Sequence, residues 1–231
     1  MTAWYDGPFL CVDTETTGVD VTRDRIVEGA WCYVQPSGEP GPEWSGLVRP
    51  DDFDIPAAAT AVHGITNSRA MVDGVDAHKV ITELVSVFGG PCPVVMFNAR
   101  FDLPLIVCEA ARHGVEFDGL PLVLDPFVID KALDRYRKGS RKLVDVAAHY
   151  GVELNEDQAH GALADATAAG RVMHELVRRY PQLESETLPS LFVAQSRWAE
   201  QQRASFVDYM RTQRDPGFDD PAGWPLPAVA S

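Results

Sequence analysis

No run of 18 apolar residues occurs anywhere in this 231-residue chain, so a membrane-spanning helix is not expected. The N-terminus also lacks a basic region followed by a hydrophobic segment, which argues against secretion. Cysteine is sparse: Cys11, Cys32, Cys92 and Cys108 are unclustered and form no Cys-x-x-Cys pair. They read as small core residues of a protein in the reducing cytoplasm. Positive charge is scarce too, with 20 Lys and Arg against 34 Asp and Glu and a net charge of −14. That balance leaves little grip for long nucleic-acid duplex. The one basic concentration is Arg135, Arg137, Lys138, Arg141 and Lys142. It can line the path of an incoming strand or form a solvated loop.

What the chain does have is acid in unexpected places. A carboxylate beside or inside an apolar run is costly unless something neutralises it, and divalent metal is the natural partner. Asp13 and Glu15 follow Pro-Phe-Leu-Cys-Val, which reads as a strand, and alternate strand residues share a face. Both carboxylates can therefore reach one ion. Oxygen donors with no Cys-His cluster nearby suit Mg²⁺ or Mn²⁺.

Asp102 follows a second apolar run, Pro93 to Phe97, where a helix is starting. Pro104 fits a first helical turn, and the positive helix end favours an ionised acid. Asp102 is either a ligand or a cap of this helix. Asp165 falls in a helical pattern from about Gly161 to Tyr180, with Leu163, Ala166, Ala169, Met173 and Leu176 on one stripe. Ala168, Ala169 and Val172 follow it on its own side, while Arg171, Glu175 and Arg178 mark a wetter face. A lone acid on a semi-buried face implies a partner. His160 precedes it by five residues, about 140° away on a continuous helix. Placed instead in the loop before the helix, with Gly161 allowing the bend, His160 becomes a candidate base beside a metal site. His78, His113, His149 and His174 read as surface or satisfied core residues.

These three segments, in this order, resemble the Exo I, Exo II and Exo III motifs of the DEDDh branch of DnaQ-like 3′-to-5′ exonucleases, the family of the epsilon proofreading subunit of bacterial DNA polymerase III. Asp13 and Glu15 match the first motif, Asp102 the second, and His160 with Asp165 the third. Val62 to Thr66 resembles the loop that packs on the terminal nucleotide. One departure is Phe97, where many relatives have histidine.

The resemblance implies a ribonuclease H-like α/β fold and two divalent metal ions. Asp13 would bridge both, Glu15 and Asp165 would complete the ion carrying the attacking water, and Asp102 would support the second. His160 would remove the water's proton. It further implies substrate contacts at Thr14, Thr16, His63 and Asn98, and release of nucleoside 5′-monophosphates. The implied partners are the 3′ end of single-stranded or frayed DNA, with RNA as the alternative, and a DNA polymerase or sliding clamp. A low-activity scaffold subunit is the reading from a different class.

The pattern of elements agrees with an α/β domain. Strand-like runs at 8–13, 25–34, 44–49, 93–97 and 121–125 precede or alternate with helical patterns at 76–88, 99–113, 127–136, 142–150 and 161–180. A mixed sheet covered by helices is expected. The exonuclease domain would span 7–181, with a helical extension at 182–213 and a flexible tail at 214–231. Neither a repeat nor a fused polymerase or helicase is evident. Leu188 to Phe192 is faintly like a clamp-binding peptide but lacks its glutamine.

Overall fold

The computed structural model describes residues 3–116, 119–154 and 161–226. Its centre is a five-stranded sheet built from β1 (Phe9–Thr16), β2 (Ile26–Val34), β3 (Pro40–Leu47), β4 (Val94–Val95) and β5 (Val123–Leu124), in the order β3-β2-β1-β4-β5. β1, β2 and β3 pair antiparallel, whereas β1 with β4 and β4 with β5 pair parallel, so the sheet is mixed.

Side-chain alternation along β1 builds two cores at once. Phe9 and Cys11 pack on one face with Val34, Val95 and the helix α7 (Ala162–Arg179), while Leu10 and Val12 pack on the other with α3 (Ala77–Ser86) and α4 (Ala99–His113). Burial on both faces explains why this strand reads as a continuous apolar run. On the α7 side lie also α5 (Pro126–Leu133), α6 (Leu143–His149) and the long α8 (Leu188–Gln213).

α7 approaches the sheet at Gly170. A Cβ there would lie 2.4 Å from the Cys11 sulfur and 2.9 Å from Val34 Cβ, closer than atoms pack in protein interiors. Gly170→Ala should therefore push α7 off the sheet and lower the melting temperature by roughly 3–10 °C, the overpacking cost for a domain of this size. A calorimetric scan with an unchanged midpoint would contradict that packing.

Four expectations need correction. Two short helices, α1 (Ala57–His63) and α2 (Asn67–Asp73), were not expected, because each buries a single residue, His63 and Ala70 respectively, and so shows no apolar stripe. β3 begins at Pro40, not 44, since an edge strand tolerates Pro-Gly-Pro where a central one does not. The expected strands at 93–97 and 121–125 shrink to two residues each. Pro104 lies deeper in α4 than its first turn, two residues beyond the buried Asp102. By contrast, α4 runs over the anticipated residues, and α8 occupies Leu188–Gln213.

The described segment after α8, up to residue 226, is tied back to the domain. Arg100 grips the Asp220 carboxylate through two bonds of 2.8 and 2.7 Å, and Arg203 donates to the Asp220 carbonyl at 2.7 Å. Leu188 to Phe192 forms the first turn of α8 with Leu191 fully buried, so it is not displayed as a free peptide. No described helix is long and apolar enough to cross a membrane.

Candidate active site

The open end of β1 carries the acids. Asp13 and Glu15, two residues apart on one strand face, meet Asp165 from the first turn of α7. One carboxylate oxygen from each of the three lies within 4.8 Å of the others. The strand spacing and the helix phase together therefore bring residues 150 positions apart to one point, as the sequence suggested.

Asp102 arrives differently. It is buried in the first turn of α4 and accepts two hydrogen bonds from Thr14, from the amide at 3.1 Å and the hydroxyl at 2.6 Å. Thr14 points away from the Asp13–Glu15 face, so Asp102 reaches the site from the other side of the strand. It does not cap α4; Asn98 occupies that position. Nor does it join the group of three, although it lines the same cleft.

The cleft has a volume of about 490 Å³, with the acids as its floor. Phe97, Phe101 and Phe127 form part of its wall, Phe97 meeting Phe127 edge-on at 5.7 Å between ring centres. Ser140, Arg141 and Lys142 line it as well. The basic cluster is therefore split. Arg137 (2.8 Å) and Arg141 both bind the buried Asp130, which also accepts from the Tyr150 hydroxyl at 2.9 Å, while Lys142 remains exposed. A solvated loop does not describe Arg141, which lines the cleft and whose guanidinium is held by the Asp130 carboxylate of α5.

Burial governs the electrostatics, and charge crowding reinforces it at Asp13 and Glu15. Burial, then the charges of Asp102, Asp165 and Glu15, holds the Asp13 carboxyl well above the usual range. Burial and the charges of Asp165, Glu28 and Asp102 push Glu15 up to about 8. Burial raises Asp102 to about 7 against the opposing Thr14 hydrogen bonds. Acids so placed repel one another until a cation arrives, and an all-carboxylate donor set suits Mg²⁺ or Mn²⁺. The residues fit divalent metal.

That crowding has a measurable consequence. Stripped of metal, folded Glu15 keeps its proton up to about pH 8, against an ordinary value of 4.5. The folded state thus holds more protons than the unfolded one between those values, so stability is highest below the lower value and falls as pH rises through the upper. Bound cation removes the penalty. Adding Mn²⁺ to chelator-treated protein should raise the melting temperature by roughly 5 °C more at pH 8 than at pH 5. Equal shifts at both pH values would argue against a cation among these acids.

The remaining expected residues divide. Asn98 lines the cleft, exposed, with φ 63°. Thr14 lines it too, but its hydroxyl is spent on Asp102. Thr16 donates to the Gly18 carbonyl at 2.7 Å, and buried His63 accepts the Ile65 amide at Nδ1 at 3.0 Å. Neither Thr16 nor His63 is among the described residues lining the cleft. His160 lies outside the described residues.

Two acids were missed. Glu28 stands directly opposite Glu15 in β2 and accepts the Ala162 amide at 3.2 Å, capping α7 from across the sheet. Its signal was available: an acid inside Ile-Val-Glu-Gly-Ala, the same anomaly that marked Asp13. Asp125, fully buried, ends a strand-like run just before Pro126, a helix-start pattern.

The exonuclease family profile, RNase T, matches residues 10–173. The chain belongs to that family, within the DnaQ-like class of exonucleases, and its mixed sheet flanked by helices is the ribonuclease H-like fold. It is 36% identical over 174 residues to the uncharacterised exonuclease CP81 of Escherichia phage 186, covering 70% of this chain and 84% of that protein. It is 33% identical over 172 residues to a DNA polymerase III subunit epsilon-like protein of Rhodobacter capsulatus, covering 73% of this chain but 23% of that one. Escherichia coli exonuclease I bound to a dA16 oligonucleotide superposes with a TM-score of 0.67 at 22% identity, over 78% of this chain and 42% of that one. The chain thus spans less than half of the latter two proteins.

Proposed function

We propose that this chain hydrolyses DNA from the 3′ end, releasing nucleoside 5′-monophosphates in a reaction that needs divalent metal. The observation that carries the reading is the convergence of Asp13, Glu15 and Asp165 within 4.8 Å on the floor of an open cleft.

Asp13, Glu15 and Asp165 would hold the metal, with Asp102 reinforcing from the Thr14 side. When bound there, divalent metal would supply activation of the attacking water and stabilisation of the leaving oxygen. The chain's own groups do the rest. Phe97, Phe101 and Phe127 offer faces for unpaired bases, a sequence-tolerant contact available to a single strand. Arg141, held by Asp130, and Lys142 supply positive charge toward the strand's phosphates. Two basic residues at the cleft, Arg141 and Lys142, in an otherwise acidic chain favour local binding at a strand end over coating of a duplex. His160, placed by sequence just before α7, would accept the water's proton.

The test compares strands labelled at the 3′ end, the 5′ end or neither, in DNA and matched RNA, single-stranded and with paired or mismatched 3′ ends. Immediate release of 3′ label as mononucleotide, lost with chelator and restored by Mg²⁺ or Mn²⁺, is expected from single-stranded DNA. Faster trimming of RNA would move the substrate to that class. Association with a polymerase rests on the resemblance to the epsilon subunit and is tested by co-purification with a replicative polymerase.

A further inference from the structure

Asn98 holds an uncommon backbone. Its φ of 63° and ψ of 50° place a non-glycine residue in the left-handed region at the start of α4, facing the cleft. Asparagine tolerates that conformation better than most residues, yet it persists only where surroundings impose it.

The imposing group is Asp125. Its carboxylate accepts the amides of Asn98 (2.9 Å) and Ala99 (3.0 Å), and that of Phe127 at 3.0 Å. A fourth donor comes from far along the chain: the Trp224 indole N–H, 3.1 Å from Asp125 Oδ2. Gln195 of α8, itself fully buried, accepts the Asp125 amide at 2.7 Å and donates to the Val123 carbonyl at 3.1 Å. Trp224 is seated by Phe192, 5.2 Å away ring to ring, and its segment is clamped by the Arg100–Asp220 pair. None of these groups lies on the cleft floor, and all converge on the turn that forms its wall.

We propose that the segment carrying Asp220 and Trp224 is a positioning element for substrate binding, acting through Asp125 to hold the Phe97–Asn98–Ala99 turn against the incoming strand. The proposal rests on the exonuclease reading of the cleft. Asp102 has its own anchor in Thr14, so releasing the turn should disturb strand binding more than the chemical step.

Trp224→Phe in the full chain keeps the ring and removes only the N–H. Asp220→Asn loosens the clamp and leaves Trp224 intact. Each should speed hydrogen exchange of the Asn98 and Ala99 amides and raise KM for a single-stranded oligonucleotide roughly three- to tenfold, the net worth of one typical hydrogen bond. The value of kcat should stay within about twofold, and substitution of Trp224 by alanine should do no less than phenylalanine. Unchanged exchange at both amides in both variants would overturn the proposal, as would faster exchange with an unaltered KM, or a fall confined to kcat. If the unmodified chain releases no mononucleotide, the reading of the cleft fails by that result, and with it the role in substrate binding. Amide exchange would then still decide whether the segment holds the turn.

Discussion

Asp13→Asn should reduce metal-dependent release of mononucleotides by about 10³-fold or more while leaving a folded and, without metal, more stable protein. Metal stabilisation of transition-state charge contributes several kcal/mol in such sites, and each tenfold in rate corresponds to about 1.36 kcal/mol. Asp13 lies within 4.8 Å of Glu15 on its own strand and Asp165 on α7, and burial, then the charges of Asp102, Asp165 and Glu15, holds its carboxyl above the usual range. An amide of the same shape lifts that repulsion and removes an oxygen anion the metal needs. Activity and metal-free stability should therefore move in opposite directions, which simple unfolding cannot mimic. Rates would be read by single-turnover assay and stability by denaturant titration with chelator present. Full activity in the variant would remove Asp13 from the metal site.

The contrast between what the sequence discloses and what it hides follows from the range of the interactions. Asp13 with Glu15 and Asp165 with its stripe are local patterns of period two and 3.6, so their faces could be read directly. Ala166, Ala169, Met173 and Leu176 are all buried as the stripe required, with Leu163 half-buried. Asp102 shows the limit. Its position at a helix start allowed ligation or capping, and the structure adds a third partner, Thr14, 88 residues away in sequence. Trp224 falls in the stretch expected as a flexible tail, because nothing nearby in sequence announces a hydrogen bond to Asp125, 99 residues earlier. The basic cluster was legible as charge but not as geometry, since only the fold reveals that buried Asp130 takes up Arg137 and Arg141. Phe97 was visible as a departure from the family pattern it resembles, and its place beside Phe101 and Phe127 gives that departure a consequence: an aromatic wall on the cleft.

His160→Ala should lower the rate by about 10² to 10⁴, the usual contribution of a positioned general base, and should alter its pH dependence in a defined direction. A base acts when neutral, so the unmodified enzyme should lose rate as pH falls through the imidazole range near 6.5. Removing the imidazole removes that limb, and the residual rate should vary less between pH 5.5 and 7.5. Metal-binding acids give a different signature. Losing one of them weakens metal affinity, so more Mn²⁺ would restore part of the rate, whereas the His160 variant should bind metal normally and gain little from it. The combination separates the base from the ligands: a flattened acid limb with an unchanged metal requirement. Gly161 follows His160 directly and α7 begins at Ala162, which leaves the histidine on the chain leading into the helix that carries Asp165. A pH profile identical to that of the unmodified chain would instead assign the proton to another acceptor.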